Sequence, residues 1–157
     1  MLYKYGAKDI SSEVTTLPLV EPRREKMTIG DIPGYNNVLL SHAQLRIVTT
    51  QHLASWHGAL ANIKDLYLIT DTSTGKQYVG KASGNNGIWQ RWCEYARNGH
   101  GGNVELQSLL TEMGAEHMRH FQYCILEIAD SHASDIDILA RESYWLNALN
   151  TREYGLN

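Results

Sequence analysis

The chain has 157 residues, 43% of them apolar and 20% charged, the size and texture of one globular domain. That balance excludes global disorder, and the length suffices to bury a core without staples. The formal net charge is −3, so any contact with a polyanion must come from a local basic cluster. The two cysteines, Cys93 and Cys124, sit among apolar or aromatic neighbours and read as buried free thiols. They are too few for a structural zinc site. No apolar run approaches the roughly 18 residues that span a membrane, and no apolar secretory core opens the chain. A reducing, cytoplasmic setting is the expectation.

Residues 1 to about 40 hold all three prolines, Pro18, Pro22 and Pro33, and show no sustained period. They read as an arm with a solvated charged loop at residues 21–26 and a short strand over residues 13–20. The charges of residues 4–26 are mixed in sign, which argues against a DNA-binding arm. Gly30 to Gly34 reads as a turn. Ser41 and Gln44 have the spacing of a capping box, which predicts a helix from His42 to about Val48. A second short helix over residues 52–61 would bury Leu53, Trp56 and Leu60.

From Leu66 the pattern changes. Leu66 to Thr70 is β-rich and apolar, and a turn cluster from Asp71 to Lys76 separates it from a second strand, Gln77 to Lys81. Together they predict a β-hairpin. Ile88 to Arg97 carries an apolar stripe of Ile88, Trp89, Trp92, Cys93 and Ala96, as on an amphipathic helix. After a glycine-rich loop, residues 104–113 suit a helix with Leu106, Leu109 and Leu110 inward. Phe121 to Ile128 predicts a third strand. Ser134 to Leu149 predicts a helix with Ile138, Leu139, Trp145, Leu146 and Leu149 inward. His117 and His120 read as surface histidines, since no cysteine or carboxylate completes a metal set. The elements imply an α+β fold: a small, three-stranded, mainly antiparallel sheet flanked by helices. The expected division is an arm and helical extension over residues 1–63 and a second unit over residues 64–157.

Tyr67 and Tyr78 stand on the two hairpin strands with ten residues between them. Alone, two strand tyrosines would mean core packing with hydroxyls at the edge. Four further residues follow in order: Lys81 after the second strand, Arg91 and Tyr95 four apart on one helix face, and Glu142 on the last long helix. The segments Leu66-Tyr67-Leu68-Ile69 and Tyr78-Val79-Gly80, with these residues, resemble the GIY-YIG nuclease family. Asp65-Leu66-Tyr67 stands in place of Gly-Ile-Tyr, and Val79 in place of isoleucine. The stretches Gly87 to Trp92 and His100 to Asn103 resemble a bacterial branch of that family near the restriction-type endonucleases.

The resemblance implies a metal-dependent endonuclease that hydrolyses DNA phosphodiester bonds, with restriction or defence as the expected setting. It implies catalytic roles for Tyr67, Tyr78, Lys81, Arg91, Tyr95 and Glu142. Glu142 would hold one Mg²⁺ or Mn²⁺ per site, an ion that binds few carboxylates and keeps several waters. Arg91 would grip a phosphate oxygen in a forked geometry. Tyr67 or Tyr78 would be the general base, with Tyr78 favoured by Lys81 beside it. A phenol, near 10 in models, must be lowered to serve, and Lys81 and Arg91 are the expected depressors. His100, Asn103 and Asn157 are candidates for substrate contact. A double-strand cut by one such domain would need a homodimer or two successive nicks. Two alternatives stand beside this reading: a DNA-binding module without turnover, and a nuclease unit whose specificity lies in a partner.

Overall fold

A computed structural model describes residues 28–130 and 132–157. The strand expected over residues 13–20 and the charged loop at 21–26 lie outside them. A 3-10 turn at Tyr35–Asn37 leads into β1 (Leu39–Ser41). Ser41 ends the strand and starts α1 (His42–Thr50). Its hydroxyl accepts the Gln44 N–H at 3.2 Å, and the Gln44 side chain accepts the Ser41 N–H at 2.9 Å. This is the capping box that the sequence predicts. The second helix, α2 (Ala54–Leu60), starts later than expected, because Leu53 is extended and His52 takes φ 48°.

Next come β2 (Lys64–Asp71), β3 (Gln77–Ala82), α3 (Gly87–Asn98) and α4 (Val104–Met113). A 3-10 segment at Ala115–His120 then leads to β4 (Phe121–Ala129), α5 (Asp135–Leu149) and α6 (Thr151–Tyr154). The sheet has four strands in the order β1-β4-β2-β3, every neighbouring pair antiparallel, where the sequence suggested three. The added strand is β1, which pairs Leu39–Ser41 with Gln122–Cys124. Three residues are too few to display an alternating pattern.

Strand alternation sends the two faces of this sheet to different partners. Tyr67, Ile69, Phe121 and Tyr123 meet Leu45, Val48, Trp56, Leu60, Ile88 and Trp92 from α1, α2 and α3 in the main core. The extension before β2 therefore shares one core with the hairpin. On the other face, Leu68 and Val79 pack with Leu146, flanked by Cys124, Trp145 and Leu149. Leu139, expected in that stripe, is 47% exposed. Both cysteines are free thiols and partly buried. No helix among the described residues is long and apolar enough to cross a membrane.

Three features fix the hairpin. The register between β2 and β4 shifts between Leu66, opposite Glu127, and Tyr67, opposite Ile125. The extra residue, Leu126, makes a β-bulge beside Tyr67, and such bulges re-aim neighbouring side chains. The hairpin turn is clasped by the 3-10 segment: the Thr72 N–H and hydroxyl both donate to the His120 carbonyl. There His117 is buried, not at the surface as its sequence neighbours suggest, and its Nε2 lies 2.8 Å from Asp71 Oδ2. Finally, the segment after α6 runs along the outer edge of β3. The Leu156 N–H donates to the Gln77 carbonyl at 2.8 Å, and the Asn157 amide bonds both the N–H and the carbonyl of Val79 at 2.8 Å.

Candidate active site

The Tyr67 ring is fully buried and lies across β3 at the position paired with Gly80. A Cβ at Gly80 would collide with that ring and its hydroxyl. The glycine of the second motif is thus the notch that seats the tyrosine of the first. The Tyr78 ring, also on β3, lies 6.5 Å from the Tyr67 ring. From α3, Tyr95 reaches the same point, its hydroxyl 2.9 Å from that of Tyr67. Arg91, one turn earlier on that helix, donates from Nη2 to the Tyr95 hydroxyl at 3.0 Å, and its guanidinium lies 5.1 Å from the Tyr95 ring centroid. Nη1 donates to the Gly101 carbonyl at 3.1 Å and pairs with Glu94. Gly101, at φ 54°, lies so close to the Tyr95 ring that a Cβ would strike it. The glycine-rich loop therefore braces both Tyr95 and Arg91.

The remaining two candidates come from the other side of the sheet. Lys81 Nζ lies 3.2 Å from Glu142 Oε2, joining β3 to α5. Alternation along β3 sends Tyr78 and Lys81 to opposite faces. β3 is an edge strand, so both sides are reachable around that edge. The two halves are also within electrostatic reach, since the Glu142 charge acts on the Tyr78 hydroxyl.

Of the residues that the sequence singles out, the structure joins Tyr67, Tyr78, Arg91 and Tyr95 on one face of the sheet and pairs Lys81 with Glu142 on the other. His100, Asn103 and Asn157 each hold backbone groups. His100 Nδ1 accepts the Gly102 N–H at 2.9 Å within its own loop. Asn103 caps α4 by accepting the Leu106 N–H at 2.9 Å. Asn157 holds Val79.

The electrostatics differ from the expectation in one respect. Tyr67 and Tyr78 are both raised above the ordinary phenol value, first by burial and then by neighbouring Tyr95. The Arg91 charge pulls each downward without prevailing, and Lys81 is not one of the leading influences on either tyrosine. Arg91 itself stays firmly charged: burial opposes the charge, and Tyr67, Tyr95 and Glu94 outweigh burial. No set of three or more histidine, cysteine or acidic side chains among the described residues forms a cage for a metal. Glu142, partly exposed at 20% and held among the described residues by Lys81, suits an ion that takes one carboxylate and completes its shell with water and phosphate.

Sequence reasoning passed over Asp65 and the Asp71–His117 pair. Asp65 is fully buried, both its oxygens lack a hydrogen-bond partner among the described residues, and burial raises its pKa well above its ordinary value. The available signals for Asp65 were an acid beside an apolar strand run and its place at the glycine of the first motif.

No family model and no curated protein matches the chain. Two solved structures align with it. One is a point mutant of the catalytic domain of the intron endonuclease I-TevI, at 26% identity over 60% of this chain and 92% of that one, with a TM-score of 0.46. The other is the catalytic domain of the homing endonuclease I-TevI, at 29% identity over 60% and 96%, with a TM-score of 0.45.

Proposed function

We propose that the chain is a metal-dependent endonuclease that hydrolyses DNA phosphodiester bonds, with restriction or a related defence as its setting. One observation carries this reading. Two groups from opposite faces of the sheet, the hydrogen-bonded chain Tyr67–Tyr95–Arg91 and the Lys81–Glu142 pair, meet at one edge strand that also bears Tyr78. The same six residues are those on which the family resemblance rests.

Phosphodiester hydrolysis needs a cation on the developing charge and a group to take the proton of the attacking water. Arg91 is a fixed donor fork whose present partners, Glu94 and Gly101, a phosphate oxygen can replace. Bound at Glu142, Mg²⁺ or Mn²⁺ would supply positive charge against the phosphate. Neutralising Glu142 also removes one of the influences that raise Tyr78. Tyr78, less buried than Tyr67, is then the better placed base. Lys81, released from Glu142, is free to meet a non-bridging oxygen. The net charge of −3 favours one addition to this reading: part of the target specificity comes from a partner chain.

The test is supercoiled plasmid with Mg²⁺. The unaltered protein should nick it, and Glu142→Ala and Arg91→Ala should each lose roughly a hundredfold or more in rate. Absence of nicking on varied DNA would sink the nuclease reading. Equal nicking by Glu142→Ala would sink the metal assignment alone. Arg91→Ala should keep its far-ultraviolet circular dichroism. If it unfolds, Arg91 is structural.

A further inference from the structure

We infer that the groove between α1 and α3 is a binding track for the phosphate backbone of DNA, gripped by Arg46 and Arg97. This rests on the endonuclease reading and adds a surface to it. The groove has a volume of about 350 Å³ and is lined by Arg46, Thr49, Thr50, Cys93, Ala96 and Arg97, with no carboxylate among them. In a chain of net charge −3, a groove with two guanidiniums and no acid is a local reversal of sign.

The state of those guanidiniums is the second observation. Arg91, Arg141 and Lys81 all have carboxylate partners. Arg46 and Arg97 are exposed and form no ion pair or side-chain hydrogen bond among the described residues. Their forks are therefore available to an anion without breaking a bond. Arg46 also projects a field into its surroundings, since its charge helps to lower the pKa of His42, after the larger effect of burial. Beyond Arg46 an adjoining groove adds Arg119, though Glu116 offsets it there.

Position is the third. Arg97 follows Arg91 by six residues on α3, an axial rise of about 9 Å. At about 100° per residue the two stand roughly 120° apart around the helix, so a polyanion held at Arg91 reaches Arg97 by wrapping from one face of α3 to the next. α1 belongs to the extension before β2, so this track gives that extension a task outside the catalytic cluster.

The test measures affinity for a fluorescein-labelled DNA duplex by anisotropy, in EDTA, over a range of salt concentrations. Arg46→Glu/Arg97→Glu should bind roughly tenfold more weakly or worse, and its salt slope should fall by about two units. Lys76→Glu/Arg152→Glu, with the same change in net charge on the hairpin turn and α6, should stay near the unaltered protein. If the charge reversals lower the melting temperature, Arg46→Gln/Arg97→Gln supplies the same slope comparison. Binding within twofold of the unaltered protein, or an equal loss in the Lys76/Arg152 control, overturns the track. A protein that cleaves plasmid yet ignores these arginines overturns the track alone. One that neither binds nor cleaves any DNA overturns the endonuclease reading with it.

Discussion

At the scale of single residues, the closest fit is between Tyr67 and Gly80. The tyrosine hydroxyl reaches Tyr95 because nothing stands between its ring and the β3 backbone. Gly80→Ala places a methyl inside that ring. Overpacking of a fully buried site costs about 1–3 kcal/mol, read from urea unfolding, and it should push the Tyr67 hydroxyl off Tyr95. Plasmid nicking should then fall in a folded protein. A stable Gly80→Ala with full activity would show that Tyr67 has room to move and does not need its seat. The sequence offered Gly80 only as a motif letter, since the notch exists through the cross-strand register of Tyr67 with Gly80, which no local pattern displays.

At the scale of elements, the outer edge of β3 is closed by two residues 78 and 79 positions away. Leu156 bonds Gln77, and the Asn157 amide stands in for a strand residue opposite Val79. Unpaired edges invite pairing with other chains, so this clasp protects the strand that carries Tyr78 and Lys81. Asn157→Ala should cost about 1–3 kcal/mol of stability by leaving both Val79 groups without a protein partner. Hydrogen exchange at the Val79 amide should quicken, and unchanged protection there would discard the clasp. β2, β3, β4, α3, α4 and α5 were legible because each carries its own period or turn signals. β1 was not, because Leu39–Ser41 is too short and is defined by its partner Gln122–Cys124. His117 was misplaced for the same reason: a 3-10 segment has no apolar stripe, and only Asp71, 46 residues away, explains its burial. The two groups, Tyr67–Tyr95–Arg91 with Tyr78 and Lys81–Glu142, were legible through their order along the chain, whereas the hydrogen bonds of Asn157 were beyond any spacing argument.

At the scale of the whole molecule, two aspartates on β2 give stability opposite dependences on pH. Burial pushes the Asp71 pKa up, but hydrogen bonds from His117, Thr74 and the Ser73 N–H outweigh it and leave the carboxyl lowered. A lowered carboxyl contributes stability that is present above its unfolded value, near 4, and lost as pH falls through its folded value. Asp65 has burial without compensation and is raised. Its contribution is complete below about pH 4 and is lost as pH rises toward the folded value. The unaltered protein should therefore gain stability from Asp71 on leaving strong acid and surrender stability through Asp65 on approaching neutrality. Urea unfolding across the acid-to-neutral range separates the two. Asp71→Asn should be less stable at neutral pH and converge with the unaltered protein in acid. Asp65→Asn should behave in the opposite way, close to the unaltered protein in acid and more stable at neutral pH, because the amide has no charge to bury. A loss of stability at neutral pH in Asp65→Asn, with the pH dependence intact, would mean that Asp65 is ionised and paired in solution. The strand that seats Tyr67 thus carries one acid whose pKa the fold lowers and one whose pKa burial raises, and the difference lies in hydrogen bonds that reach Asp71 and, among the described residues, do not reach Asp65.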